Sequence, residues 1–100
     1  MPRFRKKPVV VDAAQWDGTR KSIEGVCRWV NYGQDEPLLS YTFTGPDDVS
    51  DVQVWTLEGP LSVSPGVWII RGVQGEFYPC KPDIFEQTYE ALPRTATPAK

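Results

Sequence analysis

One hundred residues, 40% of them hydrophobic and 12% aromatic, are enough for one domain with its own core. The formal net charge of −2 and this hydrophobic content exclude a chain disordered by composition, and no run approaches the ~18 apolar residues of a membrane helix. Histidine is absent and the two cysteines, Cys27 and Cys80, lie outside any CxxC pair, which leaves no ligand set for zinc.

Charge is unevenly distributed. Arg3, Arg5, Lys6 and Lys7 stand together; taking those four from the 11 basic residues leaves seven against 13 acidic ones, a net of −6 for the rest. Nucleic-acid binders carry a basic face on the folded domain, because phosphate neutralisation dominates their affinity. An acidic body argues against that partner, and the basic start reads as a solvated terminus. No apolar signal-peptide run follows it, so the expected compartment is the cytosol and the cysteines are expected free, with a Cys27–Cys80 disulfide as the alternative.

Residues 8–16 read as the first strand. Val9, Val10 and Val11 favour a pleated surface, and apolar residues on both faces suggest a central or well-covered position. Asp17-Gly18 is a turn. Residues 22–32 read as the main helix, with Ser22 as N-cap, Glu24 in the first turn, and Ile23, Val26, Cys27 and Val30 as one apolar stripe. Gly33 is placed to end it, and Gly25 offers a close approach to a strand.

Residues 39–44 alternate as a half-exposed antiparallel strand, with Leu39, Tyr41 and Phe43 on one face. After the turn at residues 45–48, residues 51–57 alternate again, Val52, Val54 and Thr56 opposing Gln53, Trp55 and Leu57. A short strand follows at 61–63. Residues 67–71 form the strongest strand, and residues 76–80 return as its hairpin partner across a tight turn at 72–75. Pro82 opens a short helical turn, with Asp83 and Glu86 at capping-box spacing and Ile84, Phe85, Thr88 and Tyr89 facing inward. From Pro93 the tail is expected to be disordered.

These elements specify an α+β fold: a mostly antiparallel sheet of about five or six strands, one main helix packed on it and a short C-terminal helical turn, within a single domain at residues 1–92.

Two segments carry a resemblance. One is Phe4-Arg5-Lys6-Lys7-Pro8-Val9-Val10-Val11-Asp12-Ala13-Ala14-Gln15-Trp16. The other runs from Pro65-Gly66-Val67-Trp68-Ile69-Ile70-Arg71 through Gly75-Glu76-Phe77-Tyr78-Pro79-Cys80-Lys81-Pro82-Asp83-Ile84-Phe85-Glu86 to Tyr89-Glu90. Together they resemble a widespread family of small proteins encoded by tailed phages and prophages, mostly of unknown function. Residues 17–64 match nothing in that pattern, and position 67 is Val where the pattern has an acidic residue. The resemblance implies a phage or prophage origin and action in the host cytoplasm; it brings no catalytic residues.

Catalysis without histidine would fall to carboxylates, lysine or tyrosine, and a cysteine nucleophile would lack its imidazole partner. Asp47, Asp48 and Asp51 miss the spacing of a calcium loop and read as a solvated acidic loop. The expectation is therefore a non-enzymatic binding protein with no cofactor and no metal. Its candidate ligand residues are Trp68, Arg71, Phe77, Tyr78 and Lys81 on the 67–81 hairpin. Aromatic faces beside a guanidinium or ammonium suit a planar anion such as a signalling nucleotide, which a phage protein would sequester to counter host defence. Small proteins of this kind build pockets between subunits, so a homo-oligomer is expected. The alternatives stay open: Trp68 and Phe77 as core, Arg71 and Lys81 solvated or paired with Glu76 or Asp83, and the whole chain as a protein–protein interaction module, either a host-enzyme inhibitor or an assembly accessory.

Overall fold

The computed structural model describes residues 2–4, 9–46 and 48–91. The basic residues Arg5, Lys6 and Lys7, the expected strand start at Pro8, Asp47 of the acidic loop and the 93–100 tail lie outside the described residues. Among the described residues the order is β1 (Asp12–Gln15), α1 (Arg20–Asn31), β2 (Leu39–Phe43), β3 (Val49–Thr56), β4 (Gly59–Ser62), β5 (Trp68–Arg71), β6 (Phe77–Cys80) and α2 (Pro82–Thr88). The fold is α+β with antiparallel pairing throughout, one main helix and a short C-terminal one. The strands divide into two three-stranded sheets, ordered β1-β5-β6 and β2-β3-β4. The second sheet is a local meander, whereas the first recruits β1 across the whole middle of the chain, pairing Asp12 with Arg71 and Gln15 with Trp68.

The main helix starts before Ser22. Asp17 Oδ1 accepts the Thr19 backbone N–H at 2.9 Å and the Thr19 hydroxyl at 2.6 Å. Thr19 Oγ1 in turn accepts the Ser22 N–H at 3.1 Å, so Thr19 is the N-cap. Ser22 serves the preceding turn instead, its hydroxyl accepting the Asp17 N–H at 3.1 Å. The apolar stripe falls as read, with Ile23, Val26 and Val30 buried and Cys27 half-buried. Gly33, at φ +76°, follows the last turn. The close approach expected at Gly25 does not occur: a Cβ there would meet no heavy atom within 4 Å.

Asn31 ties the end of α1 to β2. Its Oδ1 accepts the backbone N–H groups of Leu38 at 2.8 Å and Leu39 at 3.0 Å, and its Nδ2 donates to the Leu39 carbonyl at 3.0 Å. Arg20 does the same at the other end, donating to the Pro46 carbonyl at 3.2 Å with its guanidinium 3.9 Å from the Phe43 ring centre. Helix and second sheet are thus joined by polar contacts at both ends and by packing between.

Ile23, Val26 and Val30 of α1 share one core with Leu39, Val52 and Val54 of the second sheet and Ile69 and Phe77 of the first. Trp16 and Val63, just outside the strands, complete it. Burial of such side chains stabilises by roughly 1.5–3 kcal/mol each.

The expectation of a long, covered first strand is corrected. β1 is short and lies at a sheet edge rather than in a covered position, and Val10 is 74% exposed. β5 offers only residues 68–71 as partners, so the valines before Asp12 have no strand to pair with. In the second sheet the register moves from Ser40↔Gln53 to Thr42↔Ser50, so two β3 residues, Asp51 and Val52, oppose Tyr41. This bulge puts Asp51 at φ +52°.

Candidate functional site

The β5–β6 hairpin has two faces, and cross-strand register assigns each candidate residue to one of them. Trp68 lies opposite Cys80 and Ile70 opposite Tyr78; Ile69 lies opposite Pro79 and Arg71 opposite Phe77. Ile69 and Phe77 belong to the core. Trp68, Ile70 and Tyr78 therefore look away from it, toward the side on which α2 folds back.

That side forms a groove of about 850 Å³. Its aromatic wall is a ladder built by α2: Phe85 stacks on Trp68 with centroids 4.1 Å apart, and Tyr89 stacks on Phe85 at 5.0 Å. The opposite wall is Val9, Val10, Val11 and Ala13, and the rim carries Asp12, Glu76 and Glu90. Among the described lining residues every charged side chain is acidic. Trp68, one of the lining residues, keeps its indole N–H buried and without a hydrogen-bond partner. A buried donor left unpaired costs on the order of 1–3 kcal/mol. Tyr78 is pushed up to about 12, first by burial and then by its hydrogen bond with Tyr89, so it remains a neutral phenol at physiological pH.

The sequence-derived site is therefore divided. Trp68 and Tyr78 meet in the groove. Phe77 is in the core, where Trp29 meets it edge-on with centroids 5.4 Å apart. Arg71 lies on Phe77's side of the sheet, its guanidinium 5.2 Å from the Trp29 ring centre, 5.4 Å from that of Phe77, and 3.8 Å from the Asp12 carboxylate. Its ion-pair partner is thus Asp12, the residue facing it across the β1–β5 ladder, and not Glu76 or Asp83. Lys81 is exposed at the N-cap of α2, with no side-chain capping bond. Strand alternation is the reason: residues of odd and even number on one strand leave on opposite faces, and neither cation shares the face of Trp68.

Phe85 and Tyr89 join the site although the sequence presented them only as inward-facing helix residues. Their companions Ile84 and Thr88 are exposed. The helix starts with Lys81 as N-cap and Pro82 at its first position, which places Asp83 inside the first turn and removes the capping-box geometry. The strand alternation that puts Trp68 and Tyr78 on one face of the hairpin was the readable signal for the groove.

Both cysteines are free. Burial pushes the Cys27 thiol up to about 11, and Cys80 is raised by burial and then by Asp83, so neither is held as the thiolate a nucleophile requires. Among the described residues no three Cys, Asp or Glu side chains come together as metal ligands, and no helix is long and apolar enough to cross a membrane. Comparison with family models, characterised proteins and solved structures finds no match to this chain.

Proposed function

We propose that the chain is a non-enzymatic binding protein and that the groove between β1, the β5–β6 hairpin and α2 is its site. The observation that carries this is the buried, unpartnered indole N–H of Trp68 in a groove walled by stacked aromatics. Such a groove favours a planar ring that stacks and presents one hydrogen-bond acceptor. The acidic rim favours an uncharged or cationic ring. A nucleobase or nucleoside fits this chemistry, and a nucleotide fits it only base-first, with its phosphates held out beyond the acidic rim that repels them. This narrows the expectation of an anionic ligand, because Arg71 already pairs with Asp12 and Lys81 stands apart from the groove. In the phage setting that the sequence resemblance implies, the protein would sequester a host molecule of this kind.

Thermal-shift measurement against matched nucleobases, nucleosides and nucleotides tests the reading. Stabilisation by the base and nucleoside, reduced about fivefold in affinity by Trp68→Phe, is expected, since that change removes one hydrogen bond worth about 1 kcal/mol while keeping an aromatic face. No response from any ring compound would sink it. A response confined to nucleotides would restore the anion-binding alternative.

The exposed Trp55, Leu57 and Leu61 around the β3–β4 hairpin favour a second reading, a protein-interaction module. Trp55→Ser should then abolish capture of a host protein while leaving the thermal-shift profile unchanged.

A further inference from the structure

The groove and the basic start of the chain are complementary. Phe4 is 92% exposed, an apolar ring with no cover of its own. It sits within Arg3-Phe4-Arg5-Lys6-Lys7, one aromatic among four cations. The groove presents the converse: an aromatic and aliphatic interior from Trp68, Phe85 and Val9–Val11, with the exposed Glu90 at its edge beside Glu76, which accepts the Gln74 N–H, and Asp12, which pairs with Arg71. We propose that residues 3–7 of a second copy of this chain dock in the groove, with Phe4 against the aromatic wall and its cationic neighbours along the acidic rim, and that the exchange is reciprocal.

Reciprocity follows from where the segment starts. It leads directly into Val9, which is itself part of the groove wall. In its own chain Phe4 stands in solvent, so the occupant is supplied by a partner. A two-fold axis passing near Val9–Val11 brings each segment over the other protomer's groove, the self-complementary arrangement of closed dimers. Four residues separate Phe4 from Val9, and the five steps between them reach at most about 17 Å when extended. The same contact covers Val9 and Val10, both exposed in the single chain. Opposite charges on segment and rim also steer the two copies together and make association sensitive to salt.

This goes beyond the ring-binding reading, and because Phe4 and a ring compound would compete for one aromatic wall, ring binding is read in Phe4→Ser as well as in the parent chain. Sedimentation velocity of the full chain across a concentration series, at low and high salt, tests it. A dimer is expected, with its dissociation constant raised at least about tenfold by Phe4→Ser, by Glu90→Lys and by high salt. Both substituted residues are exposed, so the fold remains intact. In a mixed sample of labelled and unlabelled chains, isotope-filtered nuclear Overhauser contacts between the Phe4 ring and the Trp68 indole should appear between chains. A chain that sediments as a monomer at every concentration overturns the proposal. So does a dimer indifferent to Phe4→Ser, or a Phe4–Trp68 contact found only within one chain. Phe4→Ser protein that is monomeric and still binds no ring compound would support the dimer and remove the ring-binding reading, so the two fail separately.

Discussion

The indole of Trp68 and the ring of Phe85 lie 4.1 Å apart with their planes 7° from parallel. One residue is in the strongest strand and the other in a seven-residue helix that has no buried residue of its own. So short a helix is marginal alone, and this stack, continued by Tyr89, is what holds α2 against the sheet. Phe85→Ala should lower stability by about 2 kcal/mol, the half-buried share of an aromatic truncation together with the loss of stacking. Urea unfolding followed by circular dichroism measures this, and Phe85→Leu should recover about half. The Ala variant should also lose binding of ring compounds, because the groove loses its wall.

Arg71 is expected to behave as a structural residue. Its guanidinium sits beside Trp29 and Phe77 and pairs with Asp12 across the ladder. Arg71→Ala should lower the unfolding free energy by roughly 1 kcal/mol, since the pair is partly exposed and the ring contacts are long. Affinity for a ring compound should stay within about twofold, a change below 0.5 kcal/mol. A large loss of affinity at unchanged unfolding midpoint would return Arg71 to the ligand site.

Asp51 occupies the left-handed region at φ +52° within the β3 bulge, and Thr42 donates to its carboxylate at 3.2 Å. Asp51→Gly should therefore be tolerated, within about 0.5 kcal/mol of the parent, because the gain in backbone freedom offsets a lost exposed hydrogen bond. Asp51→Val should cost about 2 kcal/mol, since a β-branched residue is strained there. Chemical denaturation of the two variants side by side decides it.

Stability should decline at alkaline pH. Burial pushes Cys27 from 9.0 up to about 11, and burial followed by the Tyr89 hydrogen bond pushes Tyr78 from 10.0 up to about 12. Both groups are neutral when protonated, and the fold favours that form. Their contribution is complete below the unfolded values and is lost as pH rises through the folded ones. The urea midpoint should thus fall between pH 9 and pH 12. Cys27→Ala should flatten the limb between pH 9 and pH 11.

On the acid side, Asp17 is held below its ordinary 3.8 by the Thr19 hydroxyl and then by the Thr19 backbone N–H. A lowered carboxyl contributes above its unfolded value and loses that contribution as pH falls through the folded one. Asp17→Asn should therefore show a shallower decline in unfolding midpoint below pH 3.8 than the parent chain.

The α+β class, the helix stripe of Ile23, Val26 and Val30, the alternation of Val52 and Val54, and the β5–β6 hairpin were all legible in the sequence. Each is a local property: side-chain periodicity of 3.6 or 2 residues declares which face is apolar without reference to the rest of the chain. Even the separation of Arg71 from Trp68 was implicit in that alternation. Only the tertiary structure decided that the strands split into two sheets, that β1 is an edge, that Thr19 caps α1, and that α2 turns Phe85 onto Trp68. Those outcomes depend on pairings between residues far apart in sequence, and periodicity carries no information about partners. The groove arises at one such meeting, between β1, the β5–β6 hairpin and α2, so its acidic rim and orphaned indole became visible only once the chain had closed on itself.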